Sequence, residues 1–152
     1  MGREGSGEPQ GGAPVKHLRV LLVEDDEDHV FLVRRALRDL DDVAVTVEVA
    51  GNGEQALEEL RRARFDQASL PHLILLDLRI PRVDGLEVLR RIRADMALQA
   101  LPVVVLTSSE RDDDRAGALR LGATWFVCKP IEGSRFRAEV QQLGDRWART
   151  VA

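Results

Sequence analysis

Four short apolar runs, each ending on a different kind of polar residue, constrain this chain more than any other feature. Leu18 to Val23 runs into Glu24 and Asp25, Leu73 to Leu76 into Asp77, Val103 to Leu106 into Thr107, and Phe126 to Cys128 into Lys129. Unbroken Val, Leu and Ile without alternation read as strands buried on both faces, the habit of parallel strands in an α/β sheet. Open parallel sheets bind ligands beyond the carboxyl ends of their strands. The runs therefore predict three carboxylates, a hydroxyl and an ammonium at one sheet edge, a set suited to a divalent cation and a phosphoryl group.

The segments between the runs change period. Val30, Val33, Leu37 and Leu40 recur at helical spacing with arginines between them, which predicts an amphipathic first helix. Val43, Val45, Val47 and Val49 then alternate with Ala44, Thr46 and Glu48, the mark of a half-exposed strand at a sheet edge. Asn52-Gly53 turns the chain into a second helix carrying Ala56, Leu57 and Leu60, and Leu86, Leu89 and Ile92 mark a third. A fourth, weaker helix is expected over Asp112 to Leu121, with Ala116 and Leu119 as its apolar residues and Gly122 as its stop. Phe136, Val140, Leu143 and Trp147 form the apolar face of a last helix. Strict strand-helix alternation implies a doubly wound parallel sheet with helices on both faces.

A chain of 152 residues corresponds to about one domain. Residues 1–16 carry five glycines and two prolines with almost nothing apolar, and read as a disordered tail before a domain over 17–152. Met1 to Ser6 formally matches a myristoylation pattern, which a glycine-rich tail meets easily. The net charge of −4 and the lack of a basic stripe argue against a nucleic-acid partner. Arg34, Arg35 and Arg38, and again Arg90, Arg91 and Arg93, read as solvated helix faces. A lone Cys128 excludes an internal disulfide and fits a reducing compartment. With no apolar run of about 18 residues and no secretory signal, the expected location is cytoplasmic, without membrane insertion.

Glu24-Asp25 after the first strand, Asp77 followed by Pro81 and Asp84-Gly85, Thr107-Ser108 after the fourth strand and Lys129-Pro130 after the fifth resemble the receiver domain of two-component response regulators. The resemblance spans about Leu18 to Trp147. It implies a flavodoxin-like (βα)5 fold with strand order 2-1-3-4-5, and phosphoacceptor function in a phosphorelay fed by a sensor histidine kinase.

The chemistry agrees with that reading. Three clustered carboxylates repel one another by roughly 4 kcal/mol per pair at an effective dielectric near 20, and a hard divalent ion relieves the repulsion. Glu24, Asp25 and Asp77 are the expected Mg²⁺ ligands, and the resemblance adds the backbone carbonyl of Arg79. Asp77 is the expected nucleophile toward phosphohistidine, with Lys129 neutralising phosphoryl oxygens and Thr107 donating its hydroxyl to one. The resemblance makes Phe126 the switching aromatic and implies a cis Lys129-Pro130 bond.

Plainer roles compete for several residues. Asp25 or Asp26 could cap the first helix, Asp84 with Gly85 reads best as a turn and helix start, and Cys128 as a small buried group. His17, His29 and His72 show no ligand spacing and read as surface residues. The Arg79 side chain either steers or shields a phosphoryl group or points to solvent. With no output domain after Trp147, the message is expected to be a changed surface on the fourth helix, fifth strand and fifth helix.

The Asp77 to Pro81 loop, the segment through Met96 and Leu101-Pro102, and the Arg146 to Val151 tail resemble stand-alone regulators of bacterial phytochromes. That narrower likeness implies a phytochrome kinase as donor and a homodimer through the last strand and helix, centred on Trp125, Phe126, Phe136 and Trp147. Two other classes compete. A pseudo-receiver scaffold would act by constitutive protein binding, against which the full residue set argues. A haloacid-dehalogenase-like phosphatase would need a second acid where this chain has Arg79.

Overall fold

Each buried run becomes a strand in the computed structural model, which describes residues 16–107, 112–128 and 133–151. The elements alternate as β1 (Lys16–Val23), α1 (Glu27–Arg38), β2 (Val43–Ala50), α2 (Gly53–Ala63), β3 (Leu73–Asp77), α3 (Gly85–Ala94), β4 (Val103–Thr107), α4 (Asp112–Arg120), β5 (Trp125–Cys128) and α5 (Gly133–Ala148). A short 3₁₀ turn at Gln67–Ser69 leads into β3. All strands pair in parallel in the order β2-β1-β3-β4-β5, as expected. β1 starts at Lys16, two residues before the apolar run.

The runs lack alternation because both sheet faces are covered. Leu18, Val20, Leu22, Leu73, Leu75, Val104, Leu106 and Val127 face one core with Val33 and Leu37 of α1 and Phe136, Val140, Leu143 and Trp147 of α5. The intervening residues Leu21, Val23, Ile74, Leu76, Val103 and Val105 face the other, with Leu57 and Leu60 of α2 and Val88, Leu89 and Ile92 of α3. Each such side chain contributes about 1.5–3 kcal/mol on full burial. β2 and β5 are the two edge strands, and in β2 the valines are half-buried and the intervening residues exposed. Thus the period-2 stretch of β2 and the unbroken stretches of β1, β3 and β4 differ because β2 is covered on one face and those three on two.

Helix ends follow local chemistry. Asp26, Asn52 and Asp84 are the N-caps of α1, α2 and α3, accepting from the backbone N–H of Asp28, Gln55 and Glu87 at 2.8–3.0 Å. The capping alternative thus holds for Asp26, and Asp84 starts a helix as expected. Gly122 ends α4 with φ +97°, and the bonds Gly122 N–H to Leu119 C=O and Ala123 N–H to Ala118 C=O form a Schellman motif.

Two expectations need correction. α4 packs through Ala118, whereas Ala116 and Leu119 are exposed, because the helix turns its small side chain toward the sheet. Arg93 is not a solvated cation: its guanidinium donates to the carbonyls of Gly122, Gln99 and Leu101 at 2.7–3.1 Å, fastening α3 to the ends of α4 and the β4 entrance. Burial lowers its pKa. Arg90 and Arg91 do lie at the surface, where both bind Glu87 and hold its carboxyl down to about 2. Among the described residues no helix is long and apolar enough to cross a membrane.

Candidate functional site

Strand register assembles the site. Val23 pairs with Leu76, so the next residues, Glu24 and Asp77, leave adjacent strands at the same level. Alternation aims both toward the face of Leu22 and Leu75, under the first turn of α1. Glu24 is 3% exposed and Asp77 8%, and they are the buried charged residues among those described. The β1-α1 loop closes around Glu24: the Asp26 N–H donates to its Oε2 at 3.2 Å, and His29 Nδ1 stands 3.5 Å from its Oε1. Asp77 Oδ1 accepts the Arg79 N–H at 2.9 Å. Asp25, the residue after Glu24, is exposed.

The loop after Asp77 is held from below. The Gly85 N–H donates to the Leu78 carbonyl at 3.1 Å, and a Cβ on Gly85 would stand 2.5 Å from Leu78 Cα and 2.6 Å from the Asp77 carbonyl oxygen. Only glycine lets the α3 N-terminus approach the strand end so closely. Gly53 at the start of α2 meets the same loop, with its N–H on the Pro81 carbonyl at 3.3 Å and a Cβ position 1.8 Å from the Val83 oxygen.

The Arg79 side chain is largely exposed, and its Nη2 lies 3.6 Å from Asp114 Oδ2 on α4. The next residue on α4, Arg115, places its guanidinium carbon 5.2 Å from the centre of the Phe126 ring. Phe126 is half-buried against the core beneath α3 and α4. One turn of α4 therefore touches both the loop after Asp77 and the aromatic of β5. Thr107 pairs with Cys128 at the ends of β4 and β5, on the carboxyl side of the sheet shared with Asp77. Lys129 and Pro130, with the expected cis bond, lie outside the described residues, as do residues 1–15.

The donor set fits a hard divalent ion. Glu24 and Asp77 bring buried carboxylate oxygens to one place, whereas Asp25, expected beside them, is exposed and does not join that close grouping. Such a grouping is stabilised by a cation with oxygen ligands and water. His29 was read as a surface residue, yet Glu24, His29 and Asp77 each present a ligand atom, all within 4.8 Å of one another. Its signal was faint, because the helical turn that returns His29 over Glu24 starts only at Asp26.

Comparison with known proteins decides the family. The response regulator receiver domain model matches residues 20–141. The chain belongs to this family. The receiver is 38% identical over 128 residues to the "Probable methanogenesis regulatory protein FilR2" of Methanothrix harundinacea, covering 84% of this chain and 82% of that one. Among solved structures it is similar to the phosphorylated cyanobacterial phytochrome response regulator RcpA, at 34% identity and TM-score 0.82, covering 90% of this chain and 97% of that one. The Mn²⁺-bound form of response regulator Rcp1 matches at 32% identity and TM-score 0.79, over 89% of this receiver and 97% of that chain. As a receiver the chain is a signalling domain of two-component systems, flavodoxin-like in fold.

Proposed function

We propose that this receiver takes a phosphoryl group from a sensor histidine kinase onto Asp77. The observation that carries the reading is the buried pair of carboxylates, Glu24 and Asp77, at the level ends of adjacent parallel strands. A carboxylate oxygen of Asp77 attacks the phosphorus of phosphohistidine in line. The P–N bond breaks, its electron pair stays on the imidazole nitrogen, and an acyl phosphate forms. Glu24, Asp25, Asp77 and the Arg79 carbonyl would hold Mg²⁺, which supplies positive charge against the phosphoryl oxygens. The Arg79 N–H, already on Asp77 Oδ1, orients the carboxylate. Lys129 and Thr107 would bind the phosphoryl oxygens.

The new group carries about −1.5 to −2 charges. Drawing Thr107 toward it opens space for Phe126 to turn inward, which alters the surface of α4, β5 and α5. A shift from 1:99 to 99:1 between two such states needs about 5.5 kcal/mol of differential stabilisation. Similarity to phytochrome response regulators supports a phytochrome kinase as donor, and a cytoplasmic site of action is part of the same proposal. No observation favours the alternative of a pseudo-receiver scaffold that binds partners constitutively.

Incubation with acetyl phosphate or a cognate kinase, followed by intact-mass measurement, tests the reading. One phosphoryl group is expected on the parent protein when Mg²⁺ is present, and none on Asp77→Asn. Equal labelling of the two proteins would overturn the assignment.

A further inference from the structure

We propose that His29 is a nitrogen ligand in the cation site, so that this receiver takes divalent transition ions in preference to Mg²⁺. The inference rests on the reading of Glu24 and Asp77 as cation ligands and adds to it a ligand of different chemistry. Three facts bear on it. His29 lies in the first turn of α1, packed over the end of β1, with Nδ1 3.5 Å from Glu24 Oε1 and 3.7 Å from Asp26 Oδ2. One donor atom each from Glu24, His29 and Asp77 falls within 4.8 Å of the other two. The two carboxylates are buried and the imidazole is half-buried.

The spacing suits a single ion. Ligands about 2.1 Å from a metal stand roughly 3 to 4.2 Å apart, from adjacent to opposite positions. His29 Nδ1 and Glu24 Oε1 already stand within that range at 3.5 Å, and the group as a whole lies within 4.8 Å. The chemistry then selects the ion. Mg²⁺ prefers oxygen and sheds water reluctantly, whereas imidazole nitrogen suits Mn²⁺, Co²⁺ and Zn²⁺ increasingly well along the first transition series. Glu24, Asp77 and His29 make a mixed N,O set, and with the proposed Asp25 and Arg79 carbonyl ligands one octahedral position is left for a phosphoryl oxygen.

A purely electrostatic role is the competing explanation, with His29 acting as counter-charge to Glu24. Two variants separate the roles. His29→Gln retains a hydrogen-bonding group near Glu24, and His29→Ala removes it; both change a half-exposed side chain and should fold. Co²⁺, Mn²⁺ and Mg²⁺ affinities are measured by titration calorimetry on the parent and both variants. Pulsed electron paramagnetic resonance of the Mn²⁺-loaded proteins looks for nitrogen hyperfine coupling.

The expected result is a loss of Co²⁺ affinity of at least about tenfold in both variants, the size of loss that even an outer-shell partner's removal causes. Mg²⁺ affinity should be unchanged, and the nitrogen coupling should be present in the parent and absent from both variants. Parallel changes for Co²⁺ and Mg²⁺, or Mn²⁺ bound with no nitrogen coupling in the parent, would overturn the proposal. Phosphoryl uptake by Asp77 is scored separately. A parent that is phosphorylated with Mg²⁺ but shows no nitrogen coupling keeps the acceptor reading and loses this one.

Discussion

At the residue scale, polar side chains in this receiver take their roles from what the backbone offers them. His72 illustrates this away from the site. Its Nδ1 accepts the Arg19 N–H at 2.9 Å while its own N–H donates to the Arg19 carbonyl at 2.8 Å, extending the β1-β3 pairing. An accepting Nδ1 is unprotonated, and protonation there would break the bond. Burial, then the Arg19 and His17 charges, lower the pKa of His72 below its ordinary 6.5. A lowered value means that the unfolded chain binds the proton first as pH falls. The contribution is whole above about 6.5 and drains away as pH drops through the folded value. Urea midpoints taken at about pH 7.5 and 5.5 should fall more for the parent than for His72→Gln. Equal pH dependence would remove this role. His72 was read as a surface residue, because nothing in a one-dimensional string places an imidazole opposite an unpaired strand N–H.

At the scale of elements, two glycines report how closely helices approach strands. Gly85 begins α3 directly against the backbone after Asp77, where a Cβ would meet Leu78 Cα and the Asp77 oxygen. Neither atom can rotate aside. Gly85→Ala should therefore cost about 1–3 kcal/mol, as overpacking does, and should slow phosphoryl uptake at the proposed acceptor. Gly117 on α4 has only Leu86 Cδ1 near its Cβ position, at 3.9 Å. Gly117→Ala should stabilise by about 0.5–1 kcal/mol through helix propensity. Chemical denaturation of the two variants checks both signs, and a stabilised Gly85→Ala would contradict the close approach. Asp84-Gly85 was legible as a helix start; the reason for glycine lay in tertiary contact.

At the scale of the whole molecule, the distribution of aromatics separates core from candidate partner surface. Phe136 and Trp147 had been expected to centre a dimer surface with Trp125 and Phe126. They are instead buried in the core under α1 and α5. The helical face they share with Val140 and Leu143 is the one turned to the sheet. Trp125 is 54% exposed on β5, with Leu119 of α4 also exposed. A homodimer surface on β5 and α5 thus remains a proposal that rests on Trp125. Trp147→Ala should lose about 3–5 kcal/mol of stability. Trp125→Ala should stay within about 0.5 kcal/mol of the parent, yet weaken self-association in light scattering. An unchanged mass distribution for Trp125→Ala would exclude this tryptophan from any dimer contact.

The sequence by itself determined the element order, the edge position of β2 and the carboxylates at the strand ends. Those follow from local pattern: burial on two faces erases alternation, and a polar residue stopping an apolar run marks where a strand leaves the core. Strand order came from resemblance, since hydrophobic period carries no information on which buried strands are neighbours. Tertiary structure alone decided that Glu24 and Asp77 stand level, because register is a relation between strands. It alone brought His29 back over Glu24, tied Arg79 to Asp114 and Arg115 to Phe126, and turned Arg93 inward to three carbonyls. Each of these is a meeting of side chain and partner across separate elements, fixed by how helices seat on the sheet.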